Sequence, residues 1–88
     1  MYQIVTYPEA VDQIAALPDR ALADYLHVLD EIGSRPWDGP SHHAQNPQAE
    51  VRHWLFGTDG AGQVIYLVLE RDREVHVLRV LWLDLPDS

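Results

Sequence analysis

Two apolar segments near the carboxyl end place the strongest constraint on how this 88-residue chain folds. Residues 63–70 and 74–83 are apolar at most positions of both alternating faces, and only Arg71-Asp72-Arg73 separates them. Strands with two apolar faces are typical of the interior of a sheet, and a short polar connection is typical of an antiparallel hairpin. We therefore predict a central β-hairpin to which the remaining elements add.

Apolar periodicity and breaker residues divide the rest of the chain into further elements. They predict a strand, two helices, a long loop and another strand over residues 2–7, 8–17, 19–33, 35–49 and 50–57. Pro8 suits the first turn of a helix, and Asp19 is a residue type preferred at the N-cap.

The order β-α-α-β-β-β predicts a single α+β domain over residues 1–88. It consists of an N-terminal strand, a helix hairpin and a three-stranded antiparallel meander. Because helices of such a chain must bury their apolar stripes on a sheet, we expect the hairpin on one face of a four-stranded antiparallel sheet.

The composition excludes several kinds of site. The absence of cysteine excludes a disulfide framework, a cysteine zinc site and a thiol nucleophile. Fourteen acidic residues against six arginines give a formal net charge of −8. A chain this acidic is repelled by nucleic acid at long range, so contact with RNA requires a local arginine patch. The longest apolar run, residues 64–69, is too short to cross a bilayer, and no signal peptide is visible, which predicts a cytoplasmic protein.

The predicted central hairpin also points to a protein partner. A helix hairpin covers one face of a sheet, whereas residues 63–70 and 74–83 are apolar on both. An apolar face without cover is typical of a surface that another chain buries. We expect part of the second face to be exposed, curved inward, or covered by a partner protein or a second copy.

Arginines and histidines on the predicted strands are the candidates for chemistry. Arg79 and Arg52 can each hold a phosphate through the guanidinium, or can pair with a nearby acid and only stabilise the sheet. His53 is a candidate for proton transfer near neutral pH. Alternation along a strand places His53 on the face opposite Arg52, and His76 on the face opposite Arg79.

Two further groups of residues are better explained without catalysis. His42-His43 are adjacent and have no third ligand at a diagnostic spacing, so a solvated loop explains them better than a metal site. The aromatic residues are suited to base stacking, but core packing or cover by a partner is the more common role. These aromatic residues are Trp37, Trp54, Phe56 and Trp82. We predict neither a metal nor a cofactor.

Four segments, taken in order, give the chain a resemblance to a known family. They are the opening strand with Pro8-Glu9-Ala10 and Leu17-Pro18, the helix end Ile32-Gly33-Ser34-Arg35-Pro36, the strand Gly62-Gln63-Val64-Ile65-Tyr66 and the strand Val75-His76-Val77-Leu78-Arg79-Val80-Leu81. In this order and at these spacings the chain resembles the RelE/ParE superfamily of bacterial type II toxins over nearly its whole length.

The resemblance implies a toxin that an antitoxin wraps and neutralises. RelE-like toxins enter the ribosomal A site and cleave mRNA without a metal, with arginines on the phosphate, whereas ParE-like toxins poison DNA gyrase. Arg79 matches the family's arginine on the last strand, and Arg52 matches a position that is often basic. With His53 as the proton-transfer candidate, these residues form the predicted catalytic site.

The sequence differs from the family pattern at three positions, and alternatives stay open. Gln63 stands where the family has an arginine, Trp82 where it has a histidine, and Asp84 where it has a basic residue. The leading prediction is a ribosome-dependent mRNA endoribonuclease that inhibits translation, with antitoxin, ribosome and mRNA as partners. The alternatives are a gyrase-inhibiting toxin, and a protein-binding module or homodimer that keeps the fold without the catalytic site.

Overall fold

The structure is a computed structural model that describes residues 1–40 and 50–83. The described residues form strands β1 (Gln3–Thr6), β2 (Val51–Phe56), β3 (Gly62–Leu69) and β4 (Glu74–Trp82), with helices α1 (Pro8–Ala15) and α2 (Asp19–Ser34) between β1 and β2. The predicted order β-α-α-β-β-β is confirmed. In this part of the chain no helix is both long and apolar enough to cross a membrane.

The strands form one sheet in the order β1-β4-β3-β2. Strands β2, β3 and β4 make the predicted antiparallel meander. Strand β1 pairs with β4 in parallel, so the prediction of an entirely antiparallel sheet is wrong, and the sheet is mixed.

The helix hairpin explains the direction of β1. Helix α2 ends beside the start of β1, where the Tyr2 N–H donates to the Gly33 carbonyl over 2.8 Å. The chain therefore enters β2 from the same end of the sheet as it entered β1. Two hairpin connections later, β4 runs in that direction again, and β1 pairs with it in parallel.

Both helices differ from the prediction at their ends. Helix α1 ends at Ala15, two residues earlier than expected. Pro18 occupies the N-cap position of α2, and no side chain caps that helix. Asp19 lies in the first turn instead, where its negative charge interacts favourably with the helix dipole. Gly33 lies inside the last turn rather than beyond it.

The helices pack on one face of the sheet, which we call the core face. Within the predicted apolar stripe of α2, Tyr25 and Ile32 are buried, whereas Leu26 is 55% exposed. The buried apolar side chains of the sheet on this face are Phe56, Val64, Tyr66, Val68, Val75, Val77 and Val80. The opposite face of the sheet, which we call the open face, has no helix packed on it in the described chain.

Helix α1 covers the part of β4 that β1 does not reach. The pairing of β1 with β4 ends at Thr6, opposite Val77. Beyond this point the Val80 N–H donates to Oε1 of Gln13 on α1 over 2.6 Å. The Gln13 side chain thus takes the place of a neighbouring strand as the acceptor for this N–H. An N–H group that is buried without an acceptor would destabilise the fold. This contact holds α1 against the second half of β4.

Candidate active site

The open face carries the polar side chains from which a site can be built. None of its described residues is buried, whereas most of the core face is. Leu55 is 54% exposed and Leu81 is 40% exposed, which confirms the expectation that part of the second face of the sheet is exposed. The open-face residues of β2, β3 and β4 are Val51, His53, Leu55, Gln63, Ile65, Leu67, Leu69, Glu74, His76, Arg79 and Leu81.

A β-bulge in β4 brings His76 and Arg79 to the same face. The ladder between β3 and β4 shifts register between Ile65 and Tyr66, so that Leu78 is an extra residue in β4. Because a strand alternates with a period of two, one extra residue reverses the facing of everything beyond it. The prediction that His76 lies opposite Arg79 is therefore wrong.

The valines of β4 carry a sequence signal for this bulge. Val75 and Val77 are two residues apart, Val80 is three residues further on, and all three are buried on the core face. An interval of three between buried valines is incompatible with uninterrupted alternation in one strand. The same reading of the pattern would have placed Arg79 beside His76.

Arg79 is paired with an acid of α1. Its Nη2 lies 3.5 Å from Oε1 of Glu9, and the two side chains are 52% and 61% exposed. An exposed ion pair at this separation contributes only about 0–1 kcal/mol. A phosphate group can therefore replace the Glu9 carboxylate as the partner of Arg79 at little cost.

His53 lies on the open face in the same row as Arg79. Both residues pair with Ile65, His53 from β2 and Arg79 from β4. Neighbouring strands are about 4.8 Å apart, so the backbones of His53 and Arg79 are about 10 Å apart. A ligand that contacts both side chains has to extend across Ile65.

Arg52 lies on the core face, opposite His53 as alternation predicts. It is 8% exposed, and its Nη1 donates to the carbonyl oxygens of Trp37 and Gly39 over 3.1 and 2.7 Å. Its Cζ lies 4.7 Å from the centroid of the Trp37 ring. These contacts bind the segment after α2 to β2, and they place the guanidinium on the other side of the sheet from Arg79.

A hydrogen-bonded chain of three side chains lies beside Arg79. Oη of Tyr7 is 2.9 Å from Nδ1 of His76, and Nε2 of His76 is 2.9 Å from Oε1 of Glu74. The rings of Tyr7 and His76 meet edge to face, with centroids 5.5 Å apart. Both imidazole nitrogens are therefore held, and the ring has a defined orientation. His76 and Arg79 are successive open-face residues of β4.

Three residues that contact His76 or Arg79 were not predicted as site residues from the sequence. Tyr7 and Glu9 lie at the end of β1 and the start of α1, about seventy positions from their partners on β4. The parallel pairing of β1 with β4 brings them there, and the sequence did not predict that pairing. Glu74 was predicted only as the first residue of a strand.

A second polar cluster lies where β3 turns into β4. Oε1 of Glu70 accepts hydrogen bonds from the Tyr2 hydroxyl and, over 2.6 Å, from the Trp37 indole, while Oε2 accepts from Arg73 over 2.9 Å. The hydrogen bond from Tyr2, followed by that from Trp37, lowers the pKa of Glu70. Arg73 itself adopts a left-handed conformation with φ 54°. The cluster stabilises the turn and gives Trp37 a role other than base stacking.

The other aromatic candidates belong to the core face. The Phe56 and Trp82 rings stack with centroids 6.0 Å apart, and Trp54 packs against the buried core. Gln63, which stands at a position of a family arginine, is on the open face opposite Leu81.

No metal site forms among the described residues. Within residues 1–40 and 50–83, no three His, Cys, Asp or Glu side chains are grouped so as to hold a metal ion. His42-His43 and Asp84 lie outside the described residues. The histidine on α2, His27, has Glu31 at 3.8 Å as a surface partner.

Comparison with known proteins identifies the fold. No protein-family model and no curated protein sequence matches the chain. It matches a chain of the intact E. coli RelBE toxin–antitoxin complex with a TM-score of 0.77 at 14% identity, over 97% of this chain and 100% of that chain. The isolated E. coli RelE toxin matches with a TM-score of 0.79 at 12% identity, over 99% and 89%. The archaeal RelE–RelB complex from Pyrococcus horikoshii OT3 matches with a TM-score of 0.62 at 18% identity, over 92% and 93%.

These matches confirm the fold predicted from the sequence. The chain has a RelE-like fold over nearly its whole length. At 12–18% identity the likeness concerns the path of the backbone and not the residues of a site.

Proposed function

We propose that this chain is the toxin of a type II toxin–antitoxin pair and a RelE-like endoribonuclease that cleaves mRNA on the ribosome. The observation that carries the proposal is the RelE fold combined with Arg79, His53 and His76 on one exposed face. Cleavage by the ribose 2′-hydroxyl needs a cation at the phosphate and groups that move protons. Arg79 is suited to the first task and the imidazoles to the second, without a metal or cofactor.

The three predicted site residues have different roles in this proposal. Arg79 contacts the phosphate, since its present partner is an exposed carboxylate at 3.5 Å. His53 contacts the RNA from β2, in the same row of the sheet as Arg79. Arg52 acts from the core face by holding the segment that contains Trp37 against β2, and so supports the position of His53.

An antitoxin is the proposed partner of the open face. Leu55 and Leu81 expose apolar surface there, and the chain as a whole carries a net charge of −8. A partner that covers this face is therefore expected to combine apolar side chains with a basic or neutral net charge. Two of the three matched structures described above are complexes of RelE with RelB, which supports a partner of this kind.

A protein-binding module or homodimer without catalysis is the second candidate. The acidic net charge, the burial of Arg52 and the glutamine at position 63 favour it, because each reduces the attraction for RNA. A gyrase-inhibiting toxin is a further alternative, since inhibition by binding needs none of these side chains.

Growth of a bacterial host after tightly induced expression tests the proposal. Wild type is compared with Arg79→Ala and with Arg20→Ala, which removes an exposed arginine of α2, a helix that packs on the core face. We expect wild type and Arg20→Ala to arrest growth, and Arg79→Ala to relieve the arrest at equal soluble protein. Mapping of transcript ends then separates the two toxin activities, because cleavage inside translated mRNA indicates the ribosome as the target.

Normal growth of the host would instead support the protein-binding module or homodimer. If cells grow normally while soluble wild-type protein accumulates, the endoribonuclease proposal fails. Sedimentation of the purified chain then distinguishes a homodimer from a monomer that needs another protein.

A further inference from the structure

We propose that the chain Tyr7–His76–Glu74 is the proton relay of the RNA-cleaving site, and that Tyr7 is its catalytic residue. This inference rests on the proposed function and deepens it, because it names Tyr7 and Glu74, which the sequence did not single out, as the partners of His76 in the proton transfer. Arg79, the next open-face residue along β4, holds the phosphate in the same site.

The partners of His76 determine where its hydrogen lies. An ionised carboxylate can only accept hydrogen bonds, so Nε2 of His76 must carry a hydrogen for its 2.9 Å contact with Glu74. In a neutral imidazole Nδ1 is then unprotonated, and it accepts the hydroxyl hydrogen of Tyr7 over 2.9 Å. The tyrosine hydroxyl is thus placed on a basic nitrogen that a carboxylate supports from behind. This is the arrangement of a hydroxyl, a histidine and an orienting acid that moves protons in hydrolytic enzymes.

The exposures of Tyr7 and His76 favour a relay in which the substrate contacts Tyr7 rather than the imidazole. Tyr7 is 38% exposed, whereas the side chain of His76 is only 18% exposed. Val5 of β1 and Leu67 of β3 flank His76 in the sheet, and both are apolar. A substrate hydroxyl therefore meets the phenol first, and the imidazole lies behind it between apolar neighbours.

Arg79 and Glu9 complete the surroundings of the relay. Glu9 follows Tyr7 by two residues at the start of α1, and its Oε1 lies 3.5 Å from Nη2 of Arg79. His76 pairs with Leu67 and Arg79 with Ile65, two residues away on β3, so their backbones are about 7 Å apart along the sheet. A nucleotide whose phosphate lies on Arg79 can present its ribose to Tyr7.

The cleavage step balances with water as the only further reactant. The ribose 2′-hydroxyl gives its proton to Oη of Tyr7 while Tyr7 gives its own proton to Nδ1 of His76. The 2′-oxygen forms a bond to the phosphorus, and the bond from phosphorus to the 5′-oxygen of the next nucleotide breaks. A water molecule protonates that 5′-oxygen, and the hydroxide takes the proton held on His76. The products are a 2′,3′-cyclic phosphate and a 5′-hydroxyl.

Single-turnover cleavage of mRNA on purified, programmed ribosomes tests the relay. Tyr7→Phe removes one oxygen and keeps the ring, His76→Ala removes the imidazole, and Glu74→Gln removes the charge. Two matched controls lie on α2: Tyr25→Phe, at a buried hydroxyl with no hydrogen-bond partner in the described structure, and His27→Gln, at an exposed imidazole that also faces a glutamate.

We expect Tyr7→Phe and His76→Ala to cleave at least ~100-fold more slowly, because proton transfer contributes factors of this order. Their affinity for the ribosome should not change, and free imidazole should restore part of the rate of His76→Ala but none of that of Tyr7→Phe. Glu74→Gln should slow cleavage about 10-fold or more at unchanged affinity, as expected for a positioning residue. The controls should cleave at the wild-type rate.

Two results overturn the relay and can be told apart from failure of the proposed function. If wild type cleaves and Tyr7→Phe cleaves equally fast, RNA cleavage stands but the relay is wrong. The same conclusion follows if His76→Ala folds, as judged by circular dichroism, yet loses activity that imidazole does not restore. If wild type neither cleaves programmed ribosomes nor arrests growth, both proposals fail together.

Discussion

The substitution Arg52→Met is expected to destabilise the fold by about 4 kcal/mol. Arg52 is 8% exposed, and its guanidinium donates to two backbone carbonyl oxygens and lies 4.7 Å from the Trp37 ring centroid. Hydrogen bonds from a charged donor contribute about 1.5–3 kcal/mol each, and a cation–π contact adds roughly 1 kcal/mol. Methionine retains much of the apolar stem, so little packing is lost. A chain of this size has a total stability of about 4–13 kcal/mol, so the loss is a large part of it.

Urea unfolding followed by far-ultraviolet circular dichroism measures this loss, and a thermal scan should show a melting temperature lower by about 20 °C. The matched control is Arg79→Met, because Arg79 is 52% exposed and its ion pair is exposed as well. That variant should stay within about 1 kcal/mol of wild type. If Arg52→Met unfolds at the same urea concentration as Arg79→Met, the structural role of Arg52 is refuted. A fully stable Arg52→Met protein without activity would instead favour a direct contact of Arg52 with phosphate.

Three further predictions concern the core and the edge of the sheet. A Cβ at Gly39 would lie 2.2 Å from Oη of Tyr66, so Gly39→Ala should lower the stability measured in urea by about 2 kcal/mol or more. Burial raises the pKa of Tyr25 to about 12, above the value of 10.0 of an exposed tyrosine. Its contribution to stability is therefore complete below pH 10 and is lost as the pH rises toward about 12, with a slope near 1.4 kcal/mol per pH unit; Tyr25→Phe should lack this component in urea titrations at alkaline pH. Gln13→Leu should leave the Val80 N–H without its acceptor and lower stability by about 1–3 kcal/mol in the same assay, and hydrogen exchange at that amide should accelerate.

The order of elements could be predicted because it depends on local patterns. The apolar runs at residues 63–70 and 74–83 correspond to β3 and β4, and the polar tripeptide between them forms the turn. Alternation also predicted correctly that Arg52 and His53 point to opposite faces, since β2 has no bulge. Each of these features involves residues close in sequence or a strict period of two.

The composition of the candidate site could not be predicted in the same way. One extra residue in β4, Leu78, reverses the facing of Arg79 and brings it to the side of His76. The valine spacing in β4 indicated this shift, but a single interval of three has little weight against an otherwise regular strand. Glu9 could not be linked to Arg79 by any pattern, because the two residues are 70 positions apart in the sequence.

The sequence by itself therefore determined the secondary structure and its order, and it indicated that the helices leave part of one face of the sheet uncovered. Those properties follow from apolar periods and breakers that act over a few residues. Only the tertiary structure decided that β1 lies parallel to β4 and that Tyr7, His76 and Glu74 meet in one hydrogen-bonded chain. The physical reason is that strand register depends on how the whole chain closes its sheet, and a shift of one residue exchanges the side chains of the two faces.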